Sequence, residues 1–219
     1  MWGKLIAIDL AAAAVIIAGW YFWFLQVNRR RAVKVLSWIE RAFEGRGQIA
    51  GVQWEGSSTF QVRARVCPSL FRQTRLRIQL LPRQLPFAWL WARITRRSET
   101  FTFEADLDCP PVFNLEVNNH RWCGRTRRHF PRHSENWVLE RTQPFVITTR
   151  NDWQREITNM MNALVASREC DCMKVSFSRT SPHFSATVPL DSISPESQSQ
   201  ANIFEVMREL AAGASASRF

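Results

Sequence analysis

Residues 5–27 read LIAIDLAAAAVIIAGWYFWFLQV, a run of 23 in which Asp9 is the only charge and Gln26 the only other strongly polar side chain. As a helix this stretch is about 35 Å long, enough to cross a hydrocarbon core of about 30 Å. A cleaved signal peptide has a shorter apolar core that ends at a small-residue site. Here Ala11–Ala14 continues into Val15-Ile16-Ile17 and then Trp20-Tyr21-Phe22-Trp23-Phe24, so the segment reads as a retained anchor. Trp2 at one end and the Trp20–Phe24 cluster at the other lie where amphipathic rings prefer the headgroup level.

The flanks give the orientation. Lys4 stands alone before the run, whereas Arg29, Arg30, Arg31 and Lys34 follow it. The positive-inside rule then places the N-terminus outside and everything after the span in the cytoplasm, as a single-pass protein of the cell membrane. The 5 cysteines are too sparse and uneven for a disulfide scaffold, which agrees with free thiols in a reducing compartment. Asp9 lies within two turns of the helix start and is expected to snorkel toward Lys4 or the outer surface. Ala7, Ala11, Ala14 and Ala18 form a small-residue stripe, the basis for expecting self-association through the span.

Beyond the span the pattern changes twice. Val33, Leu36, Ile39 and Phe43 recur at three- and four-residue spacing, which predicts a juxtamembrane helix ended by Gly45 and Gly47. Period-two runs follow. Phe60, Val62, Ala64 and Val66 alternate with Gln61, Arg63 and Arg65, and Leu76, Ile78 and Leu80 alternate with Arg75, Arg77 and Gln79, predicting half-buried strands with an arginine-bearing face. A strand is also expected at Gln48–Trp54. Phe101, Phe103, Ala105 and Leu107 predict another, and Cys109-Pro110-Pro111 predicts a turn into Phe113, Leu115 and Val117, a hairpin with an acidic outer face. Short strands at 137–139, 145–147, 173–177 and 184–188, a helix over about 152–166 and a last helix on Ile203, Met207 and Leu210 complete the reading.

The predicted fold class is α+β, an N-terminal transmembrane helix followed by a mainly antiparallel sheet domain with two or three packed helices. Its parts are an anchor and basic stop over 1–31, a juxtamembrane helix over 32–47, the sheet domain over 48–190, and a polar linker with a C-terminal helix over 191–219.

Charge is unevenly spread. The 219 residues hold 29 Lys+Arg against 19 Asp+Glu, a net of +10, and 46% hydrophobic composition excludes disorder and collagen. Residues 46–97 carry ten arginines and one acid, Glu55. Residues 98–120 carry five acids and no Lys or Arg, and residues 121–132 carry five arginines and no acid. Pairing between oppositely charged strands accounts for part of this, and a basic excess remains. The residues assigned to an anionic surface are Arg29, Arg30, Arg31, Arg121, Arg125, Arg127 and Arg128. Pro86–Arg97 mixes Phe87, Trp89, Leu90, Trp91 and Ile94 with Arg93, Arg96 and Arg97. It is read as a buried edge strand or short helix with a basic end, in preference to an element that dips aromatics into headgroups.

Motifs for catalysis are missing: there is no phosphate-binding glycine loop, no H-E-x-x-H and no G-x-S-x-G. Cys170, Cys172 and His183 have a spacing that fits incidental surface thiols better than zinc, and His120 with Cys123, or His129 with His133, are no more specific. No metal, no catalytic residue and no cofactor is implied. The expected function is a non-catalytic interaction or scaffold module that holds a protein partner, or a second copy of itself, at the membrane face. One alternative is an enzyme acting on a lipid or membrane-derived substrate through His183, His120 or a cysteine. Another is binding of anionic lipid or nucleic acid by the Arg-rich strands, nucleic acid being the less expected of the two because no recognition motif accompanies the charge.

Overall fold

The computed structural model describes residues 2–43, 47–66, 70–111, 113–119, 137–142, 145–150, 173–192 and 200–216, with the backbone alone at 66, 137–142, 145–150, 192, 200–202 and 216. The order of elements is α1 (Trp2–Ala42), β1 (Gly47–Trp54), β2 (Thr59–Val66), β3 (Phe71–Gln79), α2 (Pro86–Ile94), β4 (Thr100–Leu107), β5 (Leu115–Asn119), β6 (Trp137–Thr142), β7 (Phe145–Arg150), β8 (Lys174–Phe177), β9 (Phe184–Pro189), a 3-10 turn (Leu190–Ser192) and α3 (Gln200–Ala216). It is an α+β fold. The helix expected at 152–166 lies outside the described residues.

α1 is a single helix of 41 residues, with no break where the anchor and the juxtamembrane helix were expected to meet. The division at 31/32 follows composition, which changes there. The backbone has no reason to stop, because residues 20–42 contain neither Gly nor Pro and are rich in good helix formers. The first half is apolar and exposed, and it is long and apolar enough to cross a membrane. The second half turns one stripe into the domain: Asn28, Ala32, Ile39 and Phe43 are buried, at spacings that are multiples of a helical turn. Val33, expected on the apolar face, is exposed instead.

Among the described residues the strands form one nine-stranded sheet in the order β1-β2-β3-β4-β9-β8-β5-β7-β6, and every neighbouring pair of them is antiparallel. The alternation predicted for β2, β3 and β4 holds: Phe60, Val62, Leu76, Ile78, Phe101, Phe103 and Leu107 are all buried on one face. The second half of α1 and helix α3 cover that face. Phe204 of α3 sits among the rings of Trp38, Phe43, Phe101 and Phe103, with centroids 4.3 to 6.1 Å away. Ala211 and Ala214 are buried on the same side of α3, where small side chains let the helix lie close to its neighbours.

One expectation is overturned. β4 and β5 do not form a hairpin; the β8–β9 hairpin is inserted between them, β9 on β4 and β8 on β5. The turn at Cys109-Pro110-Pro111 reverses the chain, but strand partners are chosen by which apolar faces complete the sheet, and the later hairpin fills the gap.

The sheet and α1 run side by side. Asn28 lies beside Leu81, just past β3, while Phe43 accepts a hydrogen bond from Gly47, where β1 begins opposite Val66. The domain therefore has a proximal end, near Asn28 and the apolar half of α1, and a distal end near Phe43. Fifteen helical residues separate them, about 22 Å.

Candidate functional site

The proximal end is a knot of side chains around the turn from Leu81 to Leu85. A turn leaves backbone donors and acceptors without ladder partners, and buried ones must be satisfied. Here α1 supplies them. Asn28 donates through Nδ2 to the Leu81 carbonyl at 3.1 Å and to Gln84 Oε1 at 2.9 Å, and Trp20 donates through Nε1 to the Arg83 carbonyl at 3.1 Å. Gln84, itself buried, donates onward to the Ser57 hydroxyl in the β1–β2 loop. Asn28 Oδ1 is buried with no hydrogen-bond partner among the described residues.

Glu99 is the electrostatic centre of the knot. It is 4% exposed, with Arg31 of α1 on Oε2 and Arg83 on Oε1 at 2.9 Å, and Oε1 also accepts the Leu81 N–H at 3.3 Å. A carboxylate so deeply buried requires this degree of pairing. Burial pushes the Arg83 guanidinium below its usual range, and the attraction of Glu99 opposes the shift. Arginine remains cationic at neutral pH regardless.

α2 follows the knot directly. Pro86 occupies the first turn, where its missing N–H costs nothing. At the other end Arg97 N–H donates to the Ala92 carbonyl and Arg96 N–H to the Arg93 carbonyl, closing a Schellman motif. The residue in the left-handed position of that motif is Arg96, at φ 47°, where glycine is the usual choice. α2 is a short helix with a basic end, as one form of the expectation had it, but it is not buried. Ala92 is its one buried residue, while Phe87 is 87% exposed, Trp91 61% and Ile94 67%, with Leu85 and Leu90 half exposed. Trp89 packs edge-to-face on Trp20 with centroids 6.3 Å apart, and Trp20 lies on Phe24 at 4.5 Å. α2 thus touches the apolar half of α1 through Trp89, while Phe87, Leu90, Trp91 and Ile94 project from its other side.

Beside α2 lies a cavity of ≈ 570 Å³ lined by Arg83, Trp89, Arg93, Arg96, Arg97 and Asp191, among others. The Arg93 guanidinium sits over the Trp89 ring, 5.5 Å from its centroid. Arg93, Arg96 and Arg97 form no ion pair with any described residue.

A second basic feature occupies the outer face of the sheet toward the distal end, a cleft of ≈ 780 Å³ lined by Arg63, Arg65, Arg72 and Arg75 with Gln61 and Gln73. Arg63 and Arg75 are directly opposed across β2–β3, an unfavourable like-charge pair. On the other side Arg75 faces Glu104 across β3–β4, so the expected pairing of oppositely charged strands is realised at that position.

Of the residues assigned to an anionic surface, Arg29 and Arg30 are exposed on α1, while Arg31 is engaged by Glu99. Arg121, Arg125, Arg127 and Arg128 lie outside the described residues, as do Cys170, Cys172, His120, Cys123, His129 and His133. His183 Nδ1 accepts the Leu107 N–H at 3.2 Å, a bond that ties the β8–β9 hairpin to the end of β4. Among the described residues no three His, Cys, Asp or Glu side chains gather in a way that would hold a metal ion. Asn28, Gln84 and Glu99 carry no signal in the sequence: each is a single polar residue with at least one partner more than fifty positions away.

No protein-family model matches the chain, and no curated protein matches it in sequence. Among solved structures, the crystal structure of the mycobacterial trehalose monomycolate transport factor A is similar at a TM-score of 0.42 and 11% identity, over 85% of this chain and 93% of that one.

Proposed function

We propose that this protein is a single-pass, membrane-anchored interaction module without catalytic activity. α1 crosses the cell membrane once with its N-terminus outside, and the α+β domain holds a protein partner at the cytoplasmic face. The observation that carries the reading is the division of one unbroken helix into an exposed apolar half and a half built into the domain core. The basic flank at Arg29, Arg30 and Lys34 follows the apolar half and supports the orientation. The distal arginine cleft favours an acidic partner. It stands about 20 Å from the knot at Leu81 along β3, well beyond a Debye length of about 8 Å, so the charge of the anchoring membrane does not reach it.

The test is alkaline extraction of membranes carrying the full-length protein, with protease protection of tags at each end. Resistance to extraction with an externally cleaved N-terminal tag is expected. Extraction into the soluble fraction, or cleavage of the C-terminal tag alone, refutes the reading. Pull-down of the same protein then identifies the partner; a purified chain with neither partner nor self-association refutes the module.

A second reading, binding of a polyanion by the arginine-rich strands, is favoured by the direct opposition of Arg63 and Arg75. It predicts retention on an anionic matrix that is lost steeply with salt and lost also in Arg63→Gln/Arg75→Gln.

A further inference from the structure

We propose that α2 lies in the membrane interface with its apolar face in lipid, and that the arginine-lined cavity beside it binds the phosphate of an anionic phospholipid headgroup. The inference rests on the anchor reading above and adds a site to it. Three independent observations converge. The first is depth. Trp20, which α2 touches through Trp89, is 18 residues from Trp2, about 27 Å along the helix, close to the thickness of a hydrocarbon core of about 30 Å. With Trp2 at one interface, Trp20 and therefore α2 stand at the other.

The second is the exposed surface. Phe87, Leu90, Trp91 and Ile94 are exposed on one side of α2, whose opposite side touches the apolar half of α1 through Trp89. An apolar patch of this kind marks an interaction surface, and its place on a helix that contacts the proposed span makes the bilayer its occupant. The third is charge. Arg93, Arg96 and Arg97 stand at the end of α2 beside that patch, without ion-pair partners among the described residues, and Arg83 joins them in the cavity wall. Apolar rings in the acyl boundary with guanidinium groups at headgroup level is the arrangement of an interfacial helix, and guanidinium forks match phosphate oxygens. Asp191 is the one acid among the described lining residues, against four arginines.

The experiment uses the full-length protein in nanodiscs of phosphatidylcholine, with or without phosphatidylglycerol. A photo-crosslinking phenylalanine analogue is placed in turn at Phe87, Trp91, Ile16 and Val52. Lipid adducts are expected at Phe87, Trp91 and Ile16 and not at Val52, which is exposed on β1. Adducts at Ile16 without any at Phe87 or Trp91 overturn the interfacial placement of α2 and leave the anchor standing. Absence of adducts at Ile16 defeats the anchor reading itself. Native mass spectrometry then counts retained phosphatidylglycerol. Each arginine near an anionic surface contributes about a fivefold factor in affinity, so R93Q/R96Q/R97Q is expected to lose more than tenfold and the corresponding lysine variant to retain most binding. Equal retention of both lipids by wild type and glutamine variant overturns the headgroup site. Displacement of the lipid by millimolar-range inorganic phosphate, at roughly physiological ionic strength, overturns the assignment to a lipid in favour of free phosphate.

Discussion

The indole N–H of Trp20 donates to the backbone carbonyl of Arg83 at 3.1 Å, across 63 residues of sequence. A tryptophan from the apolar half of α1 is thereby fixed to the turn that launches α2, and the helix and the domain share a hydrogen-bonded seam. Trp20→Phe keeps most of the ring packing on Trp89 and removes the donor. It is expected to cost about 1 kcal/mol and to speed amide exchange in α2 more than in β2 or β4, as measured by hydrogen–deuterium exchange of the detergent-solubilised protein. Uniform exchange across the domain would contradict the seam.

Glu99 is the buried charge on which Arg31, Arg83 and the Leu81 N–H converge at the proximal end. Glu99→Leu leaves Arg83 in a partly buried position without its counter-charge and is expected to cost about 3 kcal/mol, read from denaturant unfolding. Arg83→Met alone leaves Glu99 buried with Arg31 as its remaining counter-charge. The double variant is expected to recover part of the combined loss, because neither member of the pair is then left without the other. Additive single losses would show that the pair is not coupled.

Asn28→Leu deletes both donors to Leu81 and Gln84 while keeping the approximate size of the side chain. Two buried acceptors lose their partner, and about 2 kcal/mol of stability is expected to go with them. Thermal melts of the variant beside Asn28→Asp, which adds a charge in the same buried place, check this. Asn28→Asp is expected to be the less stable of the two.

Arg96 occupies a backbone conformation that suits glycine. Arg96→Gly is expected to stabilise the domain by up to about 1 kcal/mol, and Arg96→Ala to give no such gain, because alanine keeps the Cβ that the left-handed position disfavours. The midpoint of chemical denaturation distinguishes them. If lipid retention falls in the same Arg96→Gly protein, the strained residue is held for its side chain.

Phe204→Ala removes the ring that lies among Trp38, Phe43, Phe101 and Phe103. A loss of about 3 kcal/mol is expected, with α3 becoming the first segment to open, as followed by limited proteolysis near the C-terminus.

Much of this architecture is legible in the sequence. The alternation of Phe60, Val62 and Ala64 with Gln61, Arg63 and Arg65 fixes which face of β2 is buried, because the side-chain period of a strand is two and the core lies on one side. The apolar character of residues 5–27 is equally plain. Strand order is not legible: β4 and β5 are neighbours in the chain and carry a turn between them, yet their placement depends on a hairpin more than fifty residues later. The knot at Glu99 was hidden for a related reason, since a lone acid beside a run of arginines gives no indication of which two it will meet. At α2 composition indicates the element and not its environment: aromatic content suggests a protein interior, and the structure leaves Phe87 and Trp91 facing outward.

The continuity of α1 has a mechanical consequence. A helix of 41 residues without a hinge behaves as a stiff shaft about 60 Å long, and the seam at Trp20, Asn28 and Arg31 clamps the domain to it against rotation. Force or torque applied by a partner at the distal end would be delivered to the apolar half of the shaft rather than dissipated in a flexible tether. The distal arginine cleft is likewise held at a set height and azimuth, so a partner would meet it from one direction and at one standoff.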